Sequence, residues 1–239
     1  MIALATMLAA AAAACAGCGG STTATSTTTA ATTSTTTTTT AKPPPAKLAA
    51  AVAQVHRELR GIRQARLTLG DPKAPVTIIE YASLACTLCA QIHRSLVPQV
   101  IARYVRTGRA NLELRTFTDT ALSLDLALSA WAATTQQQGW DVAQLAYLRG
   151  SRAGGKQSEP GSTLVAALGL DVPGWKRALS RQDWKTQISA ARQVVSVAHF
   201  PGDPVFLVRG RGSTEPFIVL TQPRALSTFD VAIAKAEHA

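Results

Sequence analysis

The chain has 239 residues, 46% of them hydrophobic, with 24 Lys and Arg against 14 Asp and Glu. This excludes a chain disordered throughout, and it excludes a polytopic membrane protein, because no apolar run after residue 20 approaches the roughly 20 residues that span a bilayer. The net charge of +10 falls wholly outside residues 1–40, which carry no charged side chain. Such a surplus suits anionic surfaces, but no nucleic-acid-binding motif accompanies it, so nucleic acid is not expected as a partner.

Ile2 to Ala14 is an apolar run of 13 residues, the length of a signal-peptide core and too short to span. Ala16 and Gly17 then lead into Cys18. This resembles a bacterial lipoprotein cleavage site, which implies Cys18 as the lipidated residue; a plain secretory signal or a short uncleaved anchor is the alternative. Residues 21–40 are only Ser, Thr and Ala, and Pro43-Pro44-Pro45 follows. With nothing sizeable to bury, such a segment cannot offset the entropy of ordering, so 1–18 is expected as signal and 19–47 as a disordered tether.

Residues 48–239 are expected to form the folded domain. Leu48, Val52, Val55 and Leu59 share one helical face up to Arg60. Arg66 to Leu69 reads as a short strand. Val76 to Tyr81, nearly continuous in β-branched residues, reads as a strand buried on both faces. A helix is expected from Cys86 to about Thr107, kinked at Pro98, then an alternating strand over Asn111–Phe117. Ala121 to Val197 is helical in pattern, interrupted by a polar loop over 151–161. Strands return at Val205–Val208 and Phe217–Leu220, and a last helix covers about Pro223 to Glu237.

Beyond the signal there are two cysteines, Cys86 and Cys89. A pair this close cannot staple distant parts of a fold, and a zinc site needs about four ligands, so no metal is expected. A redox dithiol remains. The pair follows a buried strand and opens a helix, where free N–H groups and the macrodipole favour a thiolate. Cys86, at the exposed end, is the expected nucleophile, and Cys89 should lie under the first turn. His93, one turn past Cys89, is taken as a helix-surface residue. Trp131, Trp140, Trp175 and Trp184 are taken as core.

Gly70-Asp71-Pro72-Lys73-Ala74-Pro75-Val76 to Tyr81, followed by Cys86-Thr87-Leu88-Cys89, resembles the opening of DsbA-type thiol:disulfide oxidoreductases. Leu168-Gly169-Leu170-Asp171 and Gly202-Asp203-Pro204-Val205 to Val208 resemble later segments of the same family, in the same order. The resemblance implies an α/β, thioredoxin-like fold with an inserted helical domain at about 121–198. It makes Pro204 the cis-proline facing the dithiol, with Asp203 and Pro204 at the substrate-binding backbone, although a plain turn proline is the alternative. Glu80 falls where the family keeps a buried acid able to accept the proton of Cys89; a glutamate reaching solvent is the alternative. No cofactor is implied. The implied activity is disulfide exchange with exported protein substrates, outside the cytoplasm and tethered to the outer face of the membrane, with a redox partner that resets the dithiol. A reductase or isomerase, or a non-catalytic thioredoxin-fold sensor, are the alternatives. Leu88 stands where strongly oxidising members carry His, and Asp203 replaces the family's Thr or Val, which together imply a weaker oxidant.

Overall fold

The computed structural model describes residues 44–149 and 159–238, so the expected signal, Cys18, the expected tether as far as Pro43 and most of the 151–161 loop lie outside the described residues. The chain opens with helix α1 (Ala46–Leu59), whose Leu48, Val55 and Leu59 are buried along one face. Strands β1 (Gln64–Ala65) and β2 (Thr68–Leu69) follow. The stretch expected as one strand is therefore a hairpin. Ala65 pairs with Thr68, and Arg66 turns the corner at φ 56°. A left-handed arginine leaves no mark in a hydrophobicity pattern.

Strand β3 (Val76–Ala82) runs to the edge of the dithiol and is buried along nearly its whole length. Helix α2 (Thr87–Ser95) starts just beyond it, and the expected long helix then breaks up. Pro98 has no N–H to donate, Leu96 departs to φ −100°, and a short helix α3 (Val97–Val100) gives way to a π-helical turn over Ile101–Val105. Strand β4 is Ala110–Thr116. Gly70, at φ +99°, lies so close to Val105 that a Cβ there would sit 2.7 Å from its Cγ1.

Among the described residues, five α-helices separate β4 from the next strand: α4 (Ala121–Ala133), α5 (Gly139–Arg149), α6 (Gly161–Ala167), α7 (Val172–Leu179) and α8 (Gln182–Val197). Thr120 and Ser123 cap α4 reciprocally. Strands β5 (Val205–Gly210) and β6 (Ile218–Thr221) and helix α9 (Leu226–Glu237) complete the chain. The last helix begins three residues later than expected, because Ala225 is still extended at φ −137°.

The sheet order is β1-β2-β4-β3-β5-β6, with β3 and β4 parallel and every other neighbour antiparallel. β3 is thus central, which is why VTIIEYA lacks clean polar alternation. Val76, Ile78 and Ala82 join the main core with α1, α2, α4 and α5, whereas Ile79 and Tyr81 face a smaller cluster containing Ala191 of α8. All four tryptophans are buried in the helical insertion, as expected. Among the described residues, no helix is long and apolar enough to cross a membrane.

Candidate active site

Strand β3 delivers the chain to Ser83 and the turn before α2, and Cys86 takes the N-cap of that helix. Its Sγ accepts the backbone N–H of Cys89 at 3.1 Å. A cysteine here does what Ser or Asp does at other helix starts: it satisfies an otherwise orphaned donor. The same donor and the helix dipole would stabilise a thiolate on Cys86. Cys86 and Cys89 form a disulfide, with Cα atoms 5.3 Å apart. Cys89 is fully buried, while Cys86 is partly exposed. One sulfur is therefore accessible to a partner thiol and the other is shielded by the first helical turn.

The loop before β5 closes over the disulfide. The Asp203–Pro204 peptide bond is cis. The carbonyl oxygen of Asp203 lies 4.0 Å from Cys86 Sγ. Its carboxylate Oδ2 lies 3.4 Å from Cys89 Sγ and accepts the N–H of Ser83 at 3.3 Å. The two sulfurs and a carboxylate oxygen of Asp203 all fall within 4.8 Å of one another. Asp203 thus approaches Cys86 through its carbonyl oxygen and Cys89 through its carboxylate. It does not turn outward, for Arg209 stacks over Phe217 and Arg211 donates to the carbonyl of Lys73. Burial pushes the Asp203 carboxyl above the ordinary carboxylate range. The N–H groups of Ser83 and of Asp203 itself oppose that rise, and the negative charges of Asp119 and Glu80 add to it.

Glu80 is completely buried, and its carboxylate is engaged by another side chain. Both of its oxygens face His93 Nε2, at 2.9 and 3.0 Å. Among the described residues, no hydrogen bond joins Glu80 to either cysteine. The expectation of a surface His93 is overturned: its side chain is 0% exposed. Cys89 and His93 are four residues apart on α2 and both are fully buried, and α5 supplies partners of His93. His93 Nδ1 meets Gln144 Oε1 at 2.7 Å, and Gln144 Nε2 donates to Glu58 at 2.8 Å and to the carbonyl of His93 at 3.1 Å. Because Gln144 donates through its nitrogen, its oxygen must accept, which places a proton on Nδ1 of His93. The imidazole is also stacked on Tyr147, with ring centroids 3.8 Å apart. Tyr147 is fully buried with its hydroxyl unpartnered, and burial, then the charges of Glu80 and Asp203, raise its phenol well above the usual value.

The arrangement missed in the sequence was Glu80–His93–Gln144–Glu58. The spacing of Cys89 and His93 carried the signal, since two residues at i and i+4 share a helix face. Gln144 came without any signal, being a lone amide in an apolar stretch.

A six-stranded mixed sheet, a disulfide at the N-terminus of the following helix and a cis-proline loop over it define a thioredoxin-fold protein, with a helical insertion of the DsbA type. The chain belongs to the thioredoxin family whose model, described as "Thioredoxin", matches residues 63–219. The curated proteins it is similar to include several called "Putative protein-disulfide oxidoreductase". That of Rickettsia conorii is 24% identical over 173 residues, 71% of this chain and 60% of the relative. That of Rickettsia bellii is 23% identical over 184 residues, 71% of this chain and 64% of the relative. The chain thus spans less than two thirds of the length of these relatives. Among solved structures, alpha-DsbA1 of Wolbachia pipientis aligns with a TM-score of 0.62 at 20% identity, covering 75% of this chain and 92% of that one. Oxidised BdbD of Bacillus subtilis aligns with a TM-score of 0.62 at 14% identity, covering 74% and 97%. These structures share the fold.

Proposed function

We propose that this protein exchanges disulfides with protein substrates through the Cys86/Cys89 dithiol. The observation that carries the proposal is the asymmetry of the pair: Cys86 is accessible and capped by the Cys89 N–H, and Cys89 is buried beside Asp203. In the oxidising direction a substrate thiolate attacks Cys86 Sγ. The Cys86–Cys89 bond breaks, its electron pair stays on Cys89, and a mixed disulfide joins Cys86 to the substrate. A second substrate thiolate then releases Cys86 and leaves the substrate oxidised. The reducing direction is the reverse, with Cys89 as the resolving thiol. The backbone at Asp203–Pro204 is the surface against which an extended substrate segment would pair.

The names of the rickettsial relatives support oxidoreductase chemistry, and the fold shared with DsbA proteins supports protein substrates and a redox partner that resets the dithiol. An extracytoplasmic location suits a functioning disulfide, and attachment to the outer face of the membrane through Cys18 belongs to the same proposal. The test is trapping in cells. Cys89→Ala is expected to accumulate mixed disulfides with exported proteins, and Cys86→Ala to trap none. Absence of cross-links from both variants would favour the non-catalytic binding or sensor alternative instead.

A further inference from the structure

The exchange reaction moves a proton as well as electrons. When Cys89 resolves a mixed disulfide it must first lose its S–H proton, and when it leaves as a thiolate it must regain one. A buried thiol cannot pass that proton straight to bulk water. The expected acceptor, Glu80, has both oxygens on His93 and, among the described residues, no hydrogen bond to either sulfur. The carboxylate that does touch Cys89 belongs to Asp203.

We propose that Asp203 is a catalytic residue, the acid–base group that carries the proton of Cys89. This rests on the disulfide-exchange proposal and deepens it. In the disulfide the sulfur has no proton, so the 3.4 Å contact marks where one goes on reduction. Written out, the Cys89 S–H proton passes to Asp203 Oδ2, and the thiolate attacks Cys86 Sγ in the mixed disulfide. The bond between Cys86 and the substrate breaks, and the substrate leaves as a thiolate. Over the two exchange steps the Cys86–Cys89 pair has lost two electrons, and the two sulfurs of the substrate disulfide have gained one each. In the opposite direction the protonated Asp203 returns the proton to Cys89 as it leaves.

The surroundings suit the task. Asp203 is partly exposed, so it can exchange its proton with water that never reaches Cys89. The groups facing it are the Ser83 N–H from the turn after β3, Cys86 and Cys89 of α2, Asp119 ahead of α4, Glu80 of β3 and Tyr147 of α5. Among the described residues it makes no salt bridge, so no fixed cation holds the carboxylate in its ionised form. Its raised affinity for protons brings it closer to that of a thiol, which is what efficient transfer between the two requires.

The test isolates the resolution step. Reduced protein is mixed with dithiobis(nitrobenzoate) in a stopped-flow instrument. The first nitrothiophenolate released reports the adduct on Cys86, and the second reports attack by Cys89. In Asp203→Asn the second release should slow on the order of a hundredfold near neutral pH. Its rate should climb about tenfold per pH unit, whereas the wild-type rate levels off once the carboxylate has ionised. Asp203→Ala should slow likewise and recover in formate, which can supply the missing carboxylate. Glu80→Gln should stay within about threefold of wild type.

Charge alone predicts the opposite sign. Removing a carboxylate beside a thiolate eases its formation, so a purely electrostatic Asp203 would make the Asn variant faster. A faster or unchanged second release would overturn the assignment while leaving exchange intact, and so would a loss seen in Glu80→Gln but not in Asp203→Asn. Failure of the wild-type protein to release the second thiol would sink the exchange proposal and this one together.

Discussion

Asp203 sits close enough to both sulfurs that kinetics and equilibrium should respond to it in opposite ways. Its carboxylate is within 4.8 Å of Cys86 Sγ, where two unit charges at an effective dielectric near 20 repel by roughly 3 kcal/mol before solvent screening on the exposed side. An ionised Asp203 therefore disfavours the thiolate of Cys86. Asp203→Asn should shift the Cys86 titration to lower pH by about one unit and make the disulfide more oxidising, even as it slows resolution. Thiolate absorbance against pH, with reduction potentials of both forms, measures this; an unmoved titration would mean solvent screens the pair. His93 gives the second prediction. Removing one partner of a buried hydrogen bond leaves the other unsatisfied, at a cost of about 1–3 kcal/mol. His93→Ala should lose that much in denaturant unfolding, whereas the double variant Glu80→Leu, His93→Leu should lose distinctly less.

The β1–β2 hairpin shows what elements owe to one another. Gln64 of β1 donates to Asp141 of α5 and accepts the N–H of Trp140 at 3.0 Å, and the Trp140 indole donates to the carbonyl of Leu67 at 2.8 Å. Two residues per strand are too few to stand alone, so the insertion holds the hairpin against the sheet. That explains what the sequence could and could not disclose. β3, β4 and α2 announced themselves, since their burial is written into runs of adjacent residues. The hairpin and the Glu80–His93–Gln144 chain depend on contacts between residues from 13 to 77 positions apart, to which a local pattern is blind; the resemblance brought Asp203 and Pro204 over the dithiol but gave no sign that the Glu80 carboxylate is engaged by His93. Asp141, 7% exposed, also carries a pH signature. Burial raises its carboxyl above the ordinary value, against the opposing pull of Gln64 and His56. The folded chain thus binds a proton more readily there than the unfolded chain, and stability falls as pH rises from the ordinary carboxylate range through the folded value. Asp141→Asn, which still accepts from Gln64, should raise Tm at pH 7 and leave it unchanged well below the ordinary carboxylate range. A lower Tm at pH 7 would mean the ionised form is net stabilising.

Across the whole molecule, the decisive feature is that insertion and thioredoxin core share one apolar interior. Leu67, Ile78, Leu112 and Leu114 of the sheet region belong to the same buried cluster as Leu126, Trp131, Trp140, Leu145 and Leu164 of the insertion. Neither part could withdraw without exposing apolar surface of the other, at about 25 cal/mol for each Å². The insertion should therefore not unfold as an independent unit. The chain supplies natural reporters for both halves. All four tryptophans lie between Trp131 and Trp184, within the insertion, so fluorescence follows that part alone. Cys89 is fully buried in the thioredoxin part, so in the reduced protein its alkylation follows the other. Under rising denaturant the two probes are expected to give the same midpoint and the same slope, the mark of a single cooperative transition. Early loss of tryptophan signal with Cys89 still protected would show a separable insertion. The shared interior would then contribute too little to couple the halves, and the burial of His93 under α5 would no longer keep Glu80 paired throughout the folded state.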